Sequence, residues 1–208
     1  MKLVNVMASS LDGRIAVSSI EGDEERQELG LSSEADQKHL RCQIEQCDGI
    51  IVGASSIRSN QECLSHLGLN GRYPTWFVLT RSEIPAHYKF WQQDHIKRVI
   101  ISSNDIPIHN SQVEFYKTEE ELDATQIYAY VEKIGMKQVL LFGGGIINSW
   151  FYESKLVDEL VLSIAPVIIG KETAPYFVFP SLPGSVSLEL LSSQAQENFV
   201  FLRYSIKN

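Results

Sequence analysis

The segment from Val139 to Gly170 constrains the fold more than any other part of this 208-residue chain. The apolar run Val139–Phe142 predicts a buried strand; three glycines follow it, then a short helix from about Ile146 and a second strand over Leu160–Ile164. Without a Cβ, glycine lets a phosphate approach the backbone closely, and a helix N-terminus attracts its charge. The segment therefore predicts a phosphate site at the glycines. An ordinary turn that needs φ > 0 explains them equally well, and the GxGxxG spacing is absent.

Strands and helices alternate along the chain, which is typical of a single α/β domain over residues 1–208. Further apolar runs predict strands at Leu3–Ala8, Ile50–Val52, Trp76–Leu79, Val99–Ser102 and Val113–Tyr116, and a hairpin within Val186–Ile206. Arg14–Val17 is expected to be extended and Ser18–Leu31 to be a loop. A helix is predicted to begin at Ser33 and another to end at Gly135. The pattern favours a mainly parallel sheet with an antiparallel C-terminal edge.

Composition and charge exclude several classes of function. The formal net charge of −8 argues against a nucleic-acid partner, although a local cluster of donors can still bind an anionic cofactor. No apolar run reaches the roughly 18 residues of a membrane span, and the chain opens directly on a strand, so we expect no signal peptide and a cytoplasmic location. The three cysteines lack CxxC spacing and the five histidines lack an HExxH motif, which argues against structural zinc and disulfides.

Ligands of open α/β sheets bind beyond the carboxyl ends of the strands, and four predicted strand exits carry suitable residues. These exits are Asp12-Gly13, the segment Gly53–Asn60, Thr80-Arg81-Ser82 and the glycine triplet. Two hydroxyls beside an arginine suit a phosphate, because the guanidinium offers a charged fork of donors. Each exit taken alone also fits a solvated turn. The hypothesis of a binding site therefore depends on all four meeting at one edge of the sheet.

Three motifs in a fixed order give the chain a resemblance to a known family. They are VNVMASSLDGRIA, CDGIIVGASSIRSN, and LFGGGII followed by LVDELVLSIAPVIIG. The chain resembles, over nearly its whole length, the reductase domain of the bifunctional riboflavin-biosynthesis deaminase-reductase, a relative of dihydrofolate reductase. The resemblance implies a three-layer fold with a mixed, mostly parallel sheet, NADPH as hydride donor, a small-molecule substrate and a homodimer. The zinc signature of the deaminase half, H-x-E…P-C-x-x-C, is absent.

The resemblance also assigns roles to individual residues. The loop and helix start that hold the cofactor phosphates correspond to Gly143, Gly144, Gly145 and Ile146. The strand exit near the adenosine end, which in dihydrofolate reductase holds the 2′-phosphate and so favours NADP over NAD, corresponds to Thr80, Arg81 and Ser82. Ser56 stands where the family has a threonine near the cofactor. Asn60 stands in place of an aspartate beside cofactor and substrate.

Several substrate-side positions depart from the family pattern. Phe142 replaces a glutamate that contacts substrate, Gly30 replaces a tryptophan, and Ile44 and Leu67 replace arginines. Losing an arginine removes a phosphate partner worth about 1.5–3 kcal/mol. The basic residues that remain nearby as replacements are Lys38, Arg41 and Arg72. We therefore expect the riboflavin intermediate to be a poor substrate.

The expected activity is that of a 5-amino-6-(5-phosphoribosylamino)uracil reductase, with hydride transfer to an imine or carbonyl carbon. Two alternatives stay open: a reductase of the same fold with another substrate, and a non-catalytic homologue that binds the cofactor. Dihydrofolate reductase draws its proton from a carboxylate in the first helix, and Asp36 is the nearest carboxylate here. Asp36 also suits a simple interaction with the helix dipole, so no catalytic acid is assigned.

Overall fold

The computed structural model describes residues 1–18 and 22–207. Within them, nine strands form one sheet in the order β5-β4-β3-β2-β6-β1-β7-β9-β8. The seven parallel strands are β1 Lys2–Ser9, β2 Gly49–Gly53, β3 Thr75–Leu79, β4 Arg98–Ser102, β5 Val113–Lys117, β6 Gln138–Leu141 and β7 Glu159–Ile164. Strand β9, Phe199–Lys207, runs antiparallel to β7 and pairs with the edge strand β8, Ser187–Gln196. The predicted sheet, with its antiparallel C-terminal strands, is confirmed.

Five α-helices accompany the sheet in the described part of the chain. They are α1 Asp23–Glu28, α2 Glu34–Ile44, α3 Ala54–Asn60, α4 Ala124–Lys133 and α5 Gly145–Glu153. Helix α2 begins as predicted, because the Ser33 hydroxyl accepts a hydrogen bond from the Asp36 N–H at 3.2 Å. Helix α4 begins in the same way at Asp123.

Two local predictions were wrong. The segment Ser18–Leu31 was expected to be a loop, but it contains helix α1; residues 19–21 of that segment lie outside the described part. The segment Arg14–Val17 was expected to be extended, but it contributes only one isolated bridge, from Arg14 to Tyr176. In both cases the local sequence is a weak guide, since the tertiary contacts decide the conformation.

The sheet is covered on both faces, which gives the three layers. Alternate residues of each strand point to opposite faces, so Trp76 packs with Ile44 of α2 while its neighbour Phe77 packs on the side of α4 and α5 with Phe151. Burial on both sides explains why β2, β3 and β4 are apolar runs rather than alternating ones. The order β3-β2-β6-β1 brings the predicted strand exits together at one edge.

Candidate active site

A cleft of about 860 Å³ opens at the carboxyl ends of β3, β2, β6 and β1. Asp12-Gly13 is the exception among the four predicted strand exits, and residues of the other three line its wall. On the side of β2 and β3 these are Ser56, Asn60, Thr80, Arg81 and Ser82. At the exit of β6 they are Phe142, Gly143, Gly144, Gly145 and Ile146. The predicted convergence is therefore present for the exits of β2, β3 and β6.

The glycine loop has a backbone that other residues adopt only with strain. Gly143 has φ +47° and Gly144 has φ +101°. A Cβ on Gly143 would overlap the Asn148 side chain, and one on Gly145 would overlap the carbonyl oxygen of Tyr176. Gly144 differs from both, because nothing lies within 4 Å of the position of its Cβ. At Gly144 glycine is needed for the backbone conformation, and the space beside it is open to a ligand.

Helix α5 starts within this loop and directs its N-terminus at the cleft. Gly144 is the N-cap residue, so no side chain caps the first N–H groups of the nine-residue helix. Uncapped N–H groups at the positive end of a helix dipole bind phosphate oxygens well. Ile146, in the first turn, is half exposed on the cleft wall.

A buried amide network holds the glycine loop in place. Asn5 donates from Nδ2 to the Leu141 carbonyl at 2.8 Å and to Asn148 Oδ1 at 3.1 Å. The Tyr152 hydroxyl donates to Asn5 Oδ1 at 3.0 Å, and burial raises the pKa of Tyr152, which keeps it a donor. Asn148 Nδ2 donates to the Phe177 carbonyl at 2.8 Å. Since these amides are fully satisfied, they serve to fix β1, β6 and α5 relative to one another.

The loop after β3 is tied to helix α3 by Arg58. Its Nη2 contacts Ser82 Oγ at 2.8 Å, the Glu83 carbonyl at 3.0 Å and Thr80 Oγ1 at 3.3 Å. The Thr80 hydroxyl is buried and donates to the Ser82 carbonyl at 2.6 Å. Thr80 thus shapes the loop from within, while Arg81 and Ser82 are exposed at its tip.

Arg81 extends from this tip toward α5. Its guanidinium lies 5.6 Å from the ring centroid of Trp150, a residue of the second turn of α5 that also lines the cleft. The Arg81 carbonyl accepts a hydrogen bond from Asn104 Nδ2 at 2.7 Å. The exposed guanidinium of Arg81 and the uncapped N-terminus of α5 therefore line the same cleft, and Arg81 lies on the side of β3.

Asp12 does not line the cleft, contrary to the expectation that its strand exit contributes to the site. Its carboxylate accepts hydrogen bonds from the Ser10 hydroxyl at 2.6 Å, the Ile169 N–H at 3.0 Å and the Gly170 N–H at 2.8 Å. These bonds, led by the one from Ser10, lower the pKa of Asp12 to about 2. Asp12 therefore joins the turn after β1 to the loop after β7.

Arg14 has a similar structural role, since it holds a segment that lines the cleft. It is buried, and it donates from Nη1 to the Ala174 carbonyl at 2.5 Å and from Nη2 to the Tyr176 hydroxyl at 2.6 Å. The segment that Arg14 holds lines the cleft and packs on Gly145, to whose carbonyl the Phe179 N–H donates at 3.0 Å. The glycine loop is thereby supported from outside as well as from the amide network.

The other half of the cleft, beside α2, combines aromatic side chains with polar ones. Phe142 meets Trp76 edge to face, with ring centroids 6.0 Å apart. Asp36 is buried on this wall, where it accepts a hydrogen bond from the Ser32 hydroxyl at 2.9 Å. Two positions that hold arginines in the family carry apolar residues here. Ile44 is a core residue with 1% exposure, and Leu67 is exposed and does not line the cleft.

None of the three basic residues named as possible replacements, Lys38, Arg41 and Arg72, lines the cleft. Arg26 does, and the sequence did not single it out, because it lies on α1 in the segment that was expected to be a loop. Its Nη1 donates to the Ile15 carbonyl at 2.5 Å. His39 and Trp76 also line the cleft and were not recognised as site residues. An i, i+3 spacing between Asp36 and His39 was the available signal for His39.

Comparison with known proteins identifies a family for this arrangement. Residues 1–202 match the RibD C-terminal domain. A curated relative from Aquifex aeolicus, "2,5-diamino-6-ribosylamino-4(3H)-pyrimidinone 5′-phosphate reductase", is 23% identical, over 99% of this chain and 96% of its own. The resemblance to the riboflavin-biosynthesis reductases is therefore confirmed.

Solved structures confirm the fold. A pyrimidine reductase-like protein from Corynebacterium diphtheriae aligns with a TM-score of 0.82 at 18% identity, covering 100% of this chain and 92% of its own. Dihydrofolate reductase from Enterococcus faecalis, complexed with NADP(H), aligns with a TM-score of 0.59 at 13% identity, covering 100% of this chain and 97% of its own. Within the described residues, no helix has the length and apolarity to cross a membrane, and no cluster of metal-ligand side chains is found.

Proposed function

The chain belongs to the RibD C-terminal domain family, and from that premise we propose that it is an NADPH-dependent reductase of the riboflavin-biosynthesis type. The proposed reaction transfers a hydride to an imine or carbonyl carbon of a small-molecule substrate. The reference substrate is the 2,5-diamino-6-ribosylamino-4(3H)-pyrimidinone 5′-phosphate for which the Aquifex relative is named. One observation carries the proposal: the open space at Gly144, the uncapped start of α5 and the guanidinium of Arg81 share one cleft.

The residues of this cleft fit the anionic groups of NADPH. The N–H groups of Gly144, Gly145 and Ile146 suit the pyrophosphate, because they lie at the uncapped start of α5 and the space beside Gly144 is open. Arg81 and the Ser82 hydroxyl suit the 2′-phosphate, and Ser56 offers one further hydroxyl on the same wall. Thr80 contributes through the shape of the loop.

When bound, NADPH supplies a hydride from C4 of its nicotinamide, and the substrate nitrogen or oxygen takes up one proton as the double bond is reduced. The chain's own residues position the two partners and exclude water. Phe142 and Trp76 form an aromatic wall of the cleft that would shield a bound ring from water, and Asn60 lies on the adjoining wall of α3. Excluding water strengthens the electrostatic interactions inside the site.

We propose that two copies of the protein form a homodimer through strand β8. Every residue of this edge strand is exposed, and the strand presents Leu188, Leu190 and Leu191, with exposures of 41%, 53% and 52%. An edge with unpaired backbone groups and exposed leucines favours pairing with a second copy about a two-fold axis. A cytoplasmic location remains a prediction from sequence.

Steady-state oxidation of NADPH in the presence of the pyrimidinone tests the proposed function. We expect turnover that requires substrate and that is faster with NADPH than with NADH. Absence of turnover together with undiminished NADPH binding would point to the non-catalytic homologue. Absence of NADPH binding would refute the proposal as a whole.

A further inference from the structure

The part of the sheet formed by β7, β9 and β8 has one apolar and uncharged face, on the side of α5. Residues that pair in a ladder point to the same side of a sheet. Leu190 of β8 pairs with Tyr204 of β9, and Tyr204 pairs with Leu160 of β7. Leu160 in turn pairs with Asn5, which bonds to Asn148 of α5, so this face is the one on the side of α5.

Apolar side chains on this face remain accessible. Leu190 is 53% exposed and Val200 is 38% exposed, and their apolar neighbours on β7 and β9 are only partly buried. Helix α5 covers β1 and β6 instead, where Phe151 belongs to the same core cluster as Leu3 and Leu141. We call this surface the outer apolar face; its members are Leu162, Ile164, Leu188, Leu190, Val200 and Leu202.

The opposite face of the same strands is polar and charged. Arg203 forms a salt bridge with Glu159 at 2.5 Å, and Lys207 forms one with Glu189 at 3.3 Å. Gln194 of the edge strand also lies on that side. A surface that meets only water gains nothing from exposed leucines, so the contrast between the two faces indicates that the outer apolar face meets protein.

The charge of the chain favours a second copy as the partner. With a formal net charge of −8, two copies repel each other where their charged surfaces meet. The outer apolar face has no charged side chain among the described residues of β7, β8 and β9, so two copies can meet there without contact between like charges. An apolar face is also complementary to itself, as a two-fold interface requires.

The size of the face suits the centre of a dimer interface. Strands about 4.8 Å apart that rise about 3.4 Å per residue give three strands of this length a flat area of roughly 400 Å². Monomeric proteins rarely expose an apolar patch larger than a few hundred Å². A standard interface takes about 800 Å² from each partner, with an apolar centre and a polar rim. The outer apolar face therefore supplies the centre, and the residues around it supply the rim.

Two arrangements would use strand β8, and the structure favours one of them. Edge-to-edge pairing would extend the sheet, but the register of β8 shifts between Leu190 and Ser192, and such a bulge protects an edge from pairing. That arrangement would also leave Val200 and Leu202 of the inner strand β9 uncovered. Face-to-face packing covers all three strands, as in two stacked sheets about 10 Å apart.

We infer that two copies of this chain pack face to face through their outer apolar faces, about a two-fold axis, and do not join their sheets edge to edge. The inference rests on the homodimer of the proposed function and names the surface that forms it. The leucines of β8 contribute as part of a face, and the free backbone edge of β8 stays open to water.

Two matched lysine variants separate the arrangements. Val200→Lys places a charge on the outer apolar face but away from the edge strand, and Gln194→Lys places one on the edge strand but on the opposite face. Sedimentation equilibrium gives the dimer Kd of each protein. We expect Val200→Lys to raise this Kd at least tenfold, because the dimer buries the charge twice, and Gln194→Lys to change it less than twofold.

Lysine lowers the net negative charge of the chain, so weaker association in Val200→Lys cannot come from overall repulsion. Circular dichroism checks folding, and the Kd of NADPH should be unchanged in both variants, since neither position lines the cleft. Amide hydrogen exchange of the wild-type protein is a second measurement that needs no variant. Edge-to-edge pairing would protect the β8 amides that point away from β9, whereas face-to-face packing leaves them exchanging rapidly in the dimer.

The failures of the two proposals are distinguishable. A wild-type protein that stays monomeric at micromolar concentration would overturn the inference and the homodimer, while the proposed reaction stands. A dimer that tolerates Val200→Lys, or whose outward β8 amides are protected, would overturn the inference while the homodimer stands. A dimer that Val200→Lys dissociates but that does not bind NADPH would support the inference and refute the proposed reaction.

Discussion

Arg58 donates from Nη2 to the Ser82 hydroxyl at 2.8 Å, and this bond joins helix α3 to the loop that follows β3. The same nitrogen contacts the Glu83 carbonyl at 3.0 Å. The loop therefore has a fixed shape before any ligand arrives, and Arg81 is presented at its tip. Preorganised donors of this kind cost little to order on binding, which favours affinity for a phosphate group.

Arg81→Ala should weaken NADPH binding far more than NADH binding. The guanidinium offers charge-assisted hydrogen bonds to a 2′-phosphate that a 2′-hydroxyl cannot match, so we expect the Kd of NADPH to rise about 10- to 100-fold. Both cofactors can be titrated by the fluorescence of Trp150, which lies 5.6 Å from Arg81. A variant that discriminates between the cofactors as well as wild type does would refute the assignment.

Arg58→Leu tests the preorganisation of the loop. Without the tether, the Kd of NADPH should rise about tenfold, because the loop must be ordered on binding. Arg58→Lys keeps the charge but offers fewer directed donors, and should give an intermediate value. Equal NADPH affinity in wild type and Arg58→Leu would show that the loop holds its shape without this arginine.

Gly144→Val should abolish NADPH binding while the protein remains folded. The β-branched side chain would fill the open space beside the loop and resist φ +101°. Gly135→Val is a matched control, because Gly135 has φ +93° and equally open surroundings but lies at the end of α4. Circular dichroism checks folding in both. A folded Gly144→Val protein that binds NADPH normally would exclude the phosphate-loop assignment.

Much of this site was predictable because it follows from local sequence. The strands around it are buried runs, and the glycines come directly after one of them. The roles of Asp12 and Thr80 were not predictable. Gly170, which donates to Asp12, lies 158 residues later, and Thr80 is itself buried by the fold. The same holds for His39, whose burial depends on Phe201 at the other end of the chain.

The short helices show where local pattern is insufficient. Helix α1 is strongly acidic, and α3 has seven residues with no apolar periodicity, so neither sequence predicts a helix. Arg26 was missed for this reason. The long, periodic α2 and α4 were predicted because a capping residue and an apolar face mark each of them.

Asp12→Asn should change how stability depends on pH. The pKa of Asp12 is lowered from 3.8 to about 2 in the folded protein, so its stabilising effect is present above pH 3.8 and is lost as pH falls through about 2. In wild type the free energy of unfolding should decrease over this window more steeply than in the variant. The pKa of Glu159 is lowered by hydrogen bonds from Lys2 and Arg203. Glu159 is present in both proteins, so its contribution to the pH dependence cancels when the two curves are compared. Parallel curves would contradict the prediction.

Leu190→Glu should convert the proposed homodimer to a monomer, because it places a charge in the middle of the exposed edge strand β8. Light scattering gives the mass of each protein. Ile134→Glu, at an exposed apolar residue at the end of α4, is the control and should remain dimeric. A wild-type protein that is monomeric at micromolar concentration would contradict the homodimer.

The central claim is that this cleft carries out hydride transfer from NADPH, and isotope transfer measures that step. NADPH deuterated at C4 of the nicotinamide is incubated with the pyrimidinone, with and without its phosphate, in a single turnover with the wild-type protein. We expect a product that carries deuterium at the reduced carbon, and no transfer in Gly144→Val. Two results would contradict the claim. One is a product without deuterium whichever face of the nicotinamide carries the label, and the other is the absence of product while NADPH is bound.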